Sequence, residues 1–320
     1  MEGGRIGVIG VGSLGDPVAR RLLATRHSVT VCDKAPGRMD GLARAGARTV
    51  FTAADCMDCE VILLLVATED QVLDVVGGPG GILSALDGSA LRRLAVMSTI
   101  RPEVPSRIAA MLQPTGIALV DAPVSGGGKR ALDGTLTIMA AGSDDDIDGF
   151  VQVFDHLASN VFRCGQLGAG QAAKIVNNIL CHPNTTLTAE AFRLGLAQGL
   201  DARLMTRILE TSTGRNFMTA TPDGVSEAFR YQATDMLVFN AMLEILKKDL
   251  HIAEQLIAGQ ERHFPMITGV ASLIEGLGAE TYETWRKVGF DAPADGESAT
   301  MTGTLEDARR SSETIGSWTD

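Results

Sequence analysis

A lysine and an asparagine one helical turn apart carry the first chemical signal in this chain. Lys174 and Asn178 lie in Gly168-Ala169-Gly170-Gln171-Ala172-Ala173-Lys174-Ile175-Val176-Asn177-Asn178. A spacing of four puts both side chains on one face of a helix. Ile175, Val176 and Ile179 beside them are apolar, so that face is expected to point into protein. An amine there can carry a proton and an amide can orient a hydroxyl. A second cluster is Asp121-Ala122-Pro123-Val124-Ser125-Gly126-Gly127-Gly128-Lys129-Arg130. Ser125 offers a hydroxyl, and Gly126 and Gly127 offer unobstructed N–H groups that suit a carboxylate. A third, Lys247-Lys248-Asp249-Leu250, falls on a later helical stretch.

Near the start, Gly10-Val11-Gly12-Ser13-Leu14-Gly15 is a G-x-G-x-x-G that follows an apolar strand and opens a helix. In that setting it reads as a dinucleotide cradle. Gly10 permits the tight turn, Gly12 lets backbone approach a pyrophosphate, and Gly15 lets helix and strand pack closely. The free N–H groups and positive helix end hold the phosphates. An acid, Asp33, follows eighteen residues after Gly15. It accepts from ribose hydroxyls and repels a 2′-phosphate, so NAD is expected over NADP. Lys34 and Arg38 are placed to approach a phosphate and keep NADP as the alternative.

The elements that must hold these residues change character along the chain. Apolar strand candidates are Ile6–Ile9, Val29–Cys32, Val61–Val66, Leu94–Met97, Ile117–Val120 and Leu136–Ala140, with helical patterns at Pro17–Ala24, Val104–Leu112 and Asp144–Leu157. Continuous apolar strands separated by helices predict a doubly wound parallel sheet, a Rossmann arrangement, over residues 1–166. From 167 to 305 the pattern is all-helical, the part expected to bind substrate and to dimerise, and 306–320 is a polar tail. The predicted helices are Gly168–Gly199, a long interdomain helix, then Asp201–Thr211, Ala241–Gln260 and Pro265–Glu275. Pro183 falls inside the long helix, and a missing backbone donor predicts a kink or break near Cys181–His182. His182 is read as a kink residue, with lining of a substrate cavity as the alternative.

The chain has 320 residues, with 28 Lys+Arg against 39 Asp+Glu, a net charge of −11. That balance argues against a nucleic-acid or anionic-membrane surface. No apolar run approaches the roughly 20 residues of a membrane helix. Met1-Glu2-Gly3-Gly4-Arg5 runs directly into a strand without a signal-peptide pattern, so a cytoplasmic location is expected. Five cysteines at irregular spacings make no disulfide framework, and Cys56-Met57-Asp58-Cys59 lacks a second ligand pair at zinc-finger spacing. Reduced, structural thiols and no metal are expected.

Taken together, the glycine fingerprint, the Ser125 loop, the Lys174 helix and the Lys248 segment resemble the β-hydroxyacid dehydrogenase family, relatives of 3-hydroxyisobutyrate dehydrogenase and 6-phosphogluconate dehydrogenase. The resemblance spans residues 5 to 305 with all four motifs in order. Ser98-Thr99-Ile100, the Val124–Arg130 loop, Ala140–Asp144 and His263-Phe264-Pro265 look closest to its L-threonate branch. The resemblance implies oxidation of the β-hydroxyl of a small carboxylate substrate, a 3-hydroxy acid of the hydroxyisobutyrate, threonate, glycerate or serine type, with NAD. It makes Lys174 the proton acceptor in oxidation and donor in reduction. Ser125, Gly126 and Gly127 would hold the carboxylate, and Asn178 would orient the substrate near Lys174. Thr99 would lie near the nicotinamide, with Val66, and Lys248 would reach the cofactor or closed site. It also implies pairing through the long helix into a homodimer or homotetramer. Imine reduction, or decarboxylating oxidation of a sugar acid that carries a phosphate, are the alternatives on the same fold. The chain departs from the family pattern at Val66-Ala67, at Lys129-Arg130 and at His182-Pro183-Asn184. Lys129 and Arg130 suit a second anionic group or, equally, a solvated surface, and Asn216 and Phe217 are placed to close the pocket.

Overall fold

The computed structural model describes residues 4–221 and 223–290. The expected polar tail and the last part of the expected helical domain lie outside them. Nine strands are described: β1 Arg5–Ile9, β2 Ser28–Cys32, β3 Arg48–Val50, β4 Val61–Leu64, β5 Arg93–Val96, β6 Ala118–Asp121, β7 Val124–Ser125, β8 Leu136–Ala140 and β9 Ala158–Arg163. The first six form one parallel sheet in the order β3-β2-β1-β4-β5-β6. Helices α1 Gly15–Ala24, α2 Asp40–Arg44, α3 Glu69–Gly77 and α4 Val104–Leu112 alternate with them. This is the doubly wound Rossmann order.

Why the strands run as continuous apolar stretches follows from the two cores. On one face Val8, Val31, Leu63, Ala95 and Val120 pack together; on the other Ile9, Cys32, Leu64, Val96 and Leu119 do. Successive residues point to opposite faces, and helices cover both, so the central strand positions are mostly apolar, with Thr30 a buried polar exception. Cys56 and Cys59 belong to the second core as free, fully buried thiols. Burial pushes the Cys59 thiol up to about 11.

Strand Leu136–Ala140 has the predicted bounds but leaves the main sheet. It pairs antiparallel with β7 and parallel with β9, making a second sheet of three strands. The helical stretch expected at 144–157 is two helices, α6 Asp144–Asp148 and α7 Val151–Leu157, preceded by the short α5, Gly127–Asp133.

Helix α8, Ala169–Ala197, is followed by α9 Ala202–Glu210, α10 Gly224–Gln232, α11 Met236–Leu256, α12 Pro265–Glu275 and α13 Ala279–Phe290. The break predicted near Cys181–His182 is absent: α8 runs unbroken through Pro183. The next turn is reinforced from side chains, since Thr185 Oγ1 donates to the Cys181 carbonyl at 3.0 Å and Thr186 Oγ1 to the His182 carbonyl at 3.3 Å. The chain divides into two compact units. Among the described residues, one comprises 4–186 and 240–277; the other comprises 187–221, 223–239 and 278–290. In the second, Trp285 is fully buried among Phe229 and Phe239, with ring centroids 5.2 Å from each.

Candidate active site

The glycine loop between β1 and α1 keeps its backbone open where a cofactor needs it. Gly10 has φ +89°, a left-handed conformation that side chains resist. A Cβ on Gly15 would lie 1.8 Å from the Gly10 carbonyl oxygen, so no other residue fits there. A Cβ on Gly12 would meet nothing within 4 Å. The loop is therefore closed on its inner side and open on its outer one. Helix α1 starts after Leu14 with no side-chain cap; Asp16 N donates to the Gly12 carbonyl and Pro17 has no N–H, so the Gly15 N–H is the first-turn donor left for a ligand. Asp33 ends β2 and folds towards the loop: Oδ2 accepts from Val11 N at 3.0 Å and Oδ1 from Ala35 N at 2.8 Å. Its carboxylate thus braces Val11, the residue inside the fingerprint, while retaining lone pairs for further donors. Lys34 extends to Asp74 on α3 at 2.8 Å, and Arg38 lies 3.9 Å from Asp33. These residues fit a bound NAD. Ser13 completes the loop, and half-buried Val66 packs on the second core beyond β4.

The lysine helix is fastened to the Rossmann sheet by a carboxylate that ends β6. Asp121 is fully buried and accepts from Gly168 N at 2.8 Å and Gln171 N at 2.9 Å. It caps the start of α8 from 47 residues away. Burial pushes its carboxyl up to about 6, although these backbone donors pull the other way. Gly170 sits so close that a Cβ there would lie 2.3 Å from the Met139 carbonyl oxygen on β8. Gln171 makes a second fastening. Its Oε1 accepts from Ile100 N at 3.0 Å and its Nε2 donates to the Ser98 carbonyl at 3.1 Å. One amide therefore holds the backbone on both sides of Thr99, one turn ahead of Lys174.

Lys174 is half-buried and makes no hydrogen bond or ion pair among the described residues. Burial draws its amine below the usual 10.5, partly offset by the nearby Asp249 carboxylate. Asn178 is 2% exposed, and its Nδ2 donates to Asp249 Oδ2 at 2.5 Å. Lys248 Nζ donates to the Thr99 carbonyl at 2.7 Å. It also stands 2.9 Å from Asp249 Oδ1, pairing its charge with that oxygen. Burial pushes the Asp249 carboxyl up, but the His182 hydrogen bond and the Lys248 charge outweigh it and hold the group below the usual carboxylate range. Thr99 and Lys248 line a cleft of about 250 Å³ together with Thr68, Arg101 and Ile252. A larger groove of about 370 Å³ in the other unit, between Leu204, Arg207 and Thr221, contains none of the motif residues. Chemistry, not volume, decides the assignment.

Ser125 lies on β7 opposite Thr137, and Gly126 and Gly127 follow with φ +136° and +71°. Both conformations favour glycine. The loop and the start of α8 are anchored on the same strand, β8. The Arg130 side chain folds back over Gly126, 3.0 Å from where a Cβ would stand. Asn216 is engaged within its own unit, donating to Thr188 Oγ1 at 3.0 Å, while Phe217 is exposed.

The structure thus joins Asn178, Thr99 and Lys248 in one network through Asp249, and the unpaired Lys174 amine stands one turn from Asn178. Three further residues had no role assigned from sequence: Asp121, Gln171 and Asp249. His182, read as a kink residue, is buried in the same network with Nε2 3.1 Å from Asp249 Oδ2. Its spacing of four from Asn178 was the available signal.

A Rossmann sheet, an open glycine loop and a buried amine on the following helix define a nucleotide-dependent oxidoreductase. Residues 5–165 match the NAD binding domain of 6-phosphogluconate dehydrogenase, and residues 168–287 match the NAD-binding domain of NADP-dependent 3-hydroxyisobutyrate dehydrogenase. Human mitochondrial 3-hydroxyisobutyrate dehydrogenase is 34% identical over 257 residues, 78% of this chain and 74% of that protein. The NAD-dependent L-serine dehydrogenase of Pseudomonas aeruginosa is 31% identical over 87% of this chain and 93% of its own. The fold matches that of Mycobacterium tuberculosis 3-hydroxyisobutyrate dehydrogenase with a TM-score of 0.69, covering 89% of this chain and 99% of that one at 24% identity. The chain belongs to the β-hydroxyacid dehydrogenase family.

Proposed function

We propose that this protein oxidises the β-hydroxyl of a small 3-hydroxy acid, with Lys174 receiving the hydroxyl proton. The observation that carries this reading is the unpaired, half-buried amine of Lys174 one turn from Asn178. An ordinary lysine is protonated at neutral pH and cannot accept a proton; burial favours the neutral amine that can. When bound, NAD supplies the hydride acceptor. Asn178 orients the hydroxyl, and Ser125, Gly126 and Gly127 hold the carboxylate through hydroxyl and backbone donors. Lys248, fixed to the Thr99 carbonyl, ties the later helix to the nicotinamide end of the cofactor site. Asp33 favours NAD, and Lys34 is engaged with Asp74, which leaves a 2′-phosphate less support. The Ser98–Ile100 and Val124–Arg130 segments make threonate-type acids a natural first group among the candidates.

The test is a panel of 3-hydroxy acids (hydroxyisobutyrate, threonate, glycerate, serine) with NAD and with NADP, read at the absorbance of reduced nicotinamide. Turnover is expected with NAD on at least one acid, at higher kcat/KM than with NADP. No turnover on any acid, alongside reduction of a cyclic imine, would replace this reading with imine reduction.

The reading includes self-association. Leu180, Leu187 and Leu194 on α8 recur every seven residues and are 65%, 63% and 65% exposed, with Val176 one turn earlier at 63%. An apolar stripe of this length on a soluble surface calls for a partner, and a second copy through the same helix gives a homodimer or homotetramer. Light scattering at micromolar concentration is expected to give twice or four times the chain mass; a monomer would contradict it.

A further inference from the structure

His182 follows Asn178 by four positions and Lys174 by eight, so one face of α8 carries amine, amide and imidazole in succession. The imidazole is 6% exposed, and no step of the reaction as described employs it. Its Nε2 lies 3.1 Å from Asp249 Oδ2, the same oxygen that Asn178 Nδ2 reaches at 2.5 Å. An ionised carboxylate can only accept, so the ring nitrogen and the amide nitrogen that face it must both carry hydrogen. This fixes the histidine tautomer and the sense of the amide. Asn178 Oδ1 is turned away, where it accepts from Asn177 Nδ2 at 2.9 Å. One hydrogen of Asn178 Nδ2 is committed to Asp249, and the second remains for another acceptor. The other Asp249 oxygen faces the Lys248 ammonium at 2.9 Å. The carboxylate is therefore held between Lys248 on one oxygen and two donors on Oδ2, of which His182 is the one given no other role.

We propose that His182 is a positioning residue of the hydroxy-acid site: by donating Nε2–H to Asp249 Oδ2 it fixes the carboxylate that makes Asn178 present N–H, rather than C=O, beside Lys174. The inference rests on the reading of Lys174 and Asn178 as the pair that meets the substrate. It gives the network a direction. Asn178 becomes a donor to the hydroxyl oxygen, so that oxygen keeps its own hydrogen available for the lysine.

The test uses the full-length enzyme with NAD and the best acid of the panel, comparing His182→Ala, His182→Gln and Lys174→Ala. Misplacing one orienting group costs about ten- to a hundredfold in rate. The alanine variant is expected to lose that much in kcat/KM while keeping the wild-type Kd for NAD. Glutamine, which retains an N–H donor, is expected to recover most of the loss. The pH profile of the alanine variant should also shift, because Asp249, Lys248, Lys174 and the Cys181 thiol are the charged and titratable groups around that face. A role in packing alone would lower the melting temperature and leave kcat, KM and the pH profile of the folded protein unchanged. If alanine prevents folding, His182→Met, which fills the space without a donor, takes its place. Wild-type kcat/KM in a folded alanine or methionine variant, or failure of glutamine to recover activity, would overturn the proposal. A fully active Lys174→Ala would instead overturn the reading beneath it.

Discussion

Replacing Lys174 with alanine is expected to lower kcat for the 3-hydroxy acid by about a thousandfold, the usual worth of a positioned proton carrier. The Kd for NAD should stay within about twofold, since the glycine loop and Asp33 are built from β1, α1 and β2 without contribution from α8. The pH dependence has a definite sign. Oxidation needs the neutral amine, so kcat/KM should rise with pH through the amine's folded-state pKa, which burial holds below 10.5; reduction should fall over the same range. The same burial costs stability. Because the folded pKa is depressed, the native state binds fewer protons than the unfolded chain. The stability linked to this group is present above pH 10.5 and lost as pH falls through the folded pKa. Lys174→Met, with no charge to bury, should therefore melt at or above the wild-type temperature at pH 7 while being inactive. Comparable activity in either variant, or a melting temperature well below wild type for methionine, would show that the lysine serves the fold instead.

Asp121→Ala is the variant expected to damage the fold most at a single polar position. It leaves the buried N–H groups of Gly168 and Gln171 without acceptors, at about 1–3 kcal/mol each, so a total loss of about 2–6 kcal/mol in urea unfolding is expected. Activity should fall with it, because Lys174 stands one turn beyond the capped end of α8. The wild type should also show a pH signature. The Asp121 carboxyl is raised from 3.8 to about 6. A raised pKa means its favourable contribution is complete below pH 3.8 and is lost as pH rises through 6. Two pKa units correspond to on the order of 3 kcal/mol. Asp121→Asn keeps one acceptor and carries no charge, so it should lose less stability than alanine. Its stability between pH 4 and 7 should also be flatter than that of the wild type. Parallel pH curves for wild type and asparagine would remove Asp121 as the source of the effect.

The local parts of the architecture were legible in the sequence, and the long-range parts were not. The glycine loop, Asp33 at the end of β2, and the shared face of Lys174 and Asn178 depend on residues close in sequence, where spacing decides geometry. Helix Val104–Leu112 and strand Leu136–Ala140 have the predicted bounds for the same reason. The second sheet was missed because its membership is set by partners. Strand β9 is mostly exposed and lacks alternation, and only its pairing with β8 makes it a strand. Strand β3 is three residues long, too short for a pattern. The fastenings of the site fall into the same class. Asp121 meets α8 across 47 residues, Gln171 meets Ile100 across 71, and Asp249 meets His182 across 67. Nothing in the local pattern distinguishes these acids and amides from solvated ones. Pro183 failed as a helix breaker because one missing N–H is a small loss in a helix of 29 residues held at its start.

The two compact units differ in which of the named residues they carry. Asp33, Thr99, Asp121, Ser125, Lys174, Asn178, His182, Lys248 and Asp249 all belong to the unit made of residues 4–186 and 240–277. The remaining unit, with its own aromatic core around Trp285, contains none of them. Every one of them is drawn from two stretches of chain that residues 187–239 separate in sequence. The site is thus complete only when the chain has returned, after residues 187–239, to supply Lys248 and Asp249.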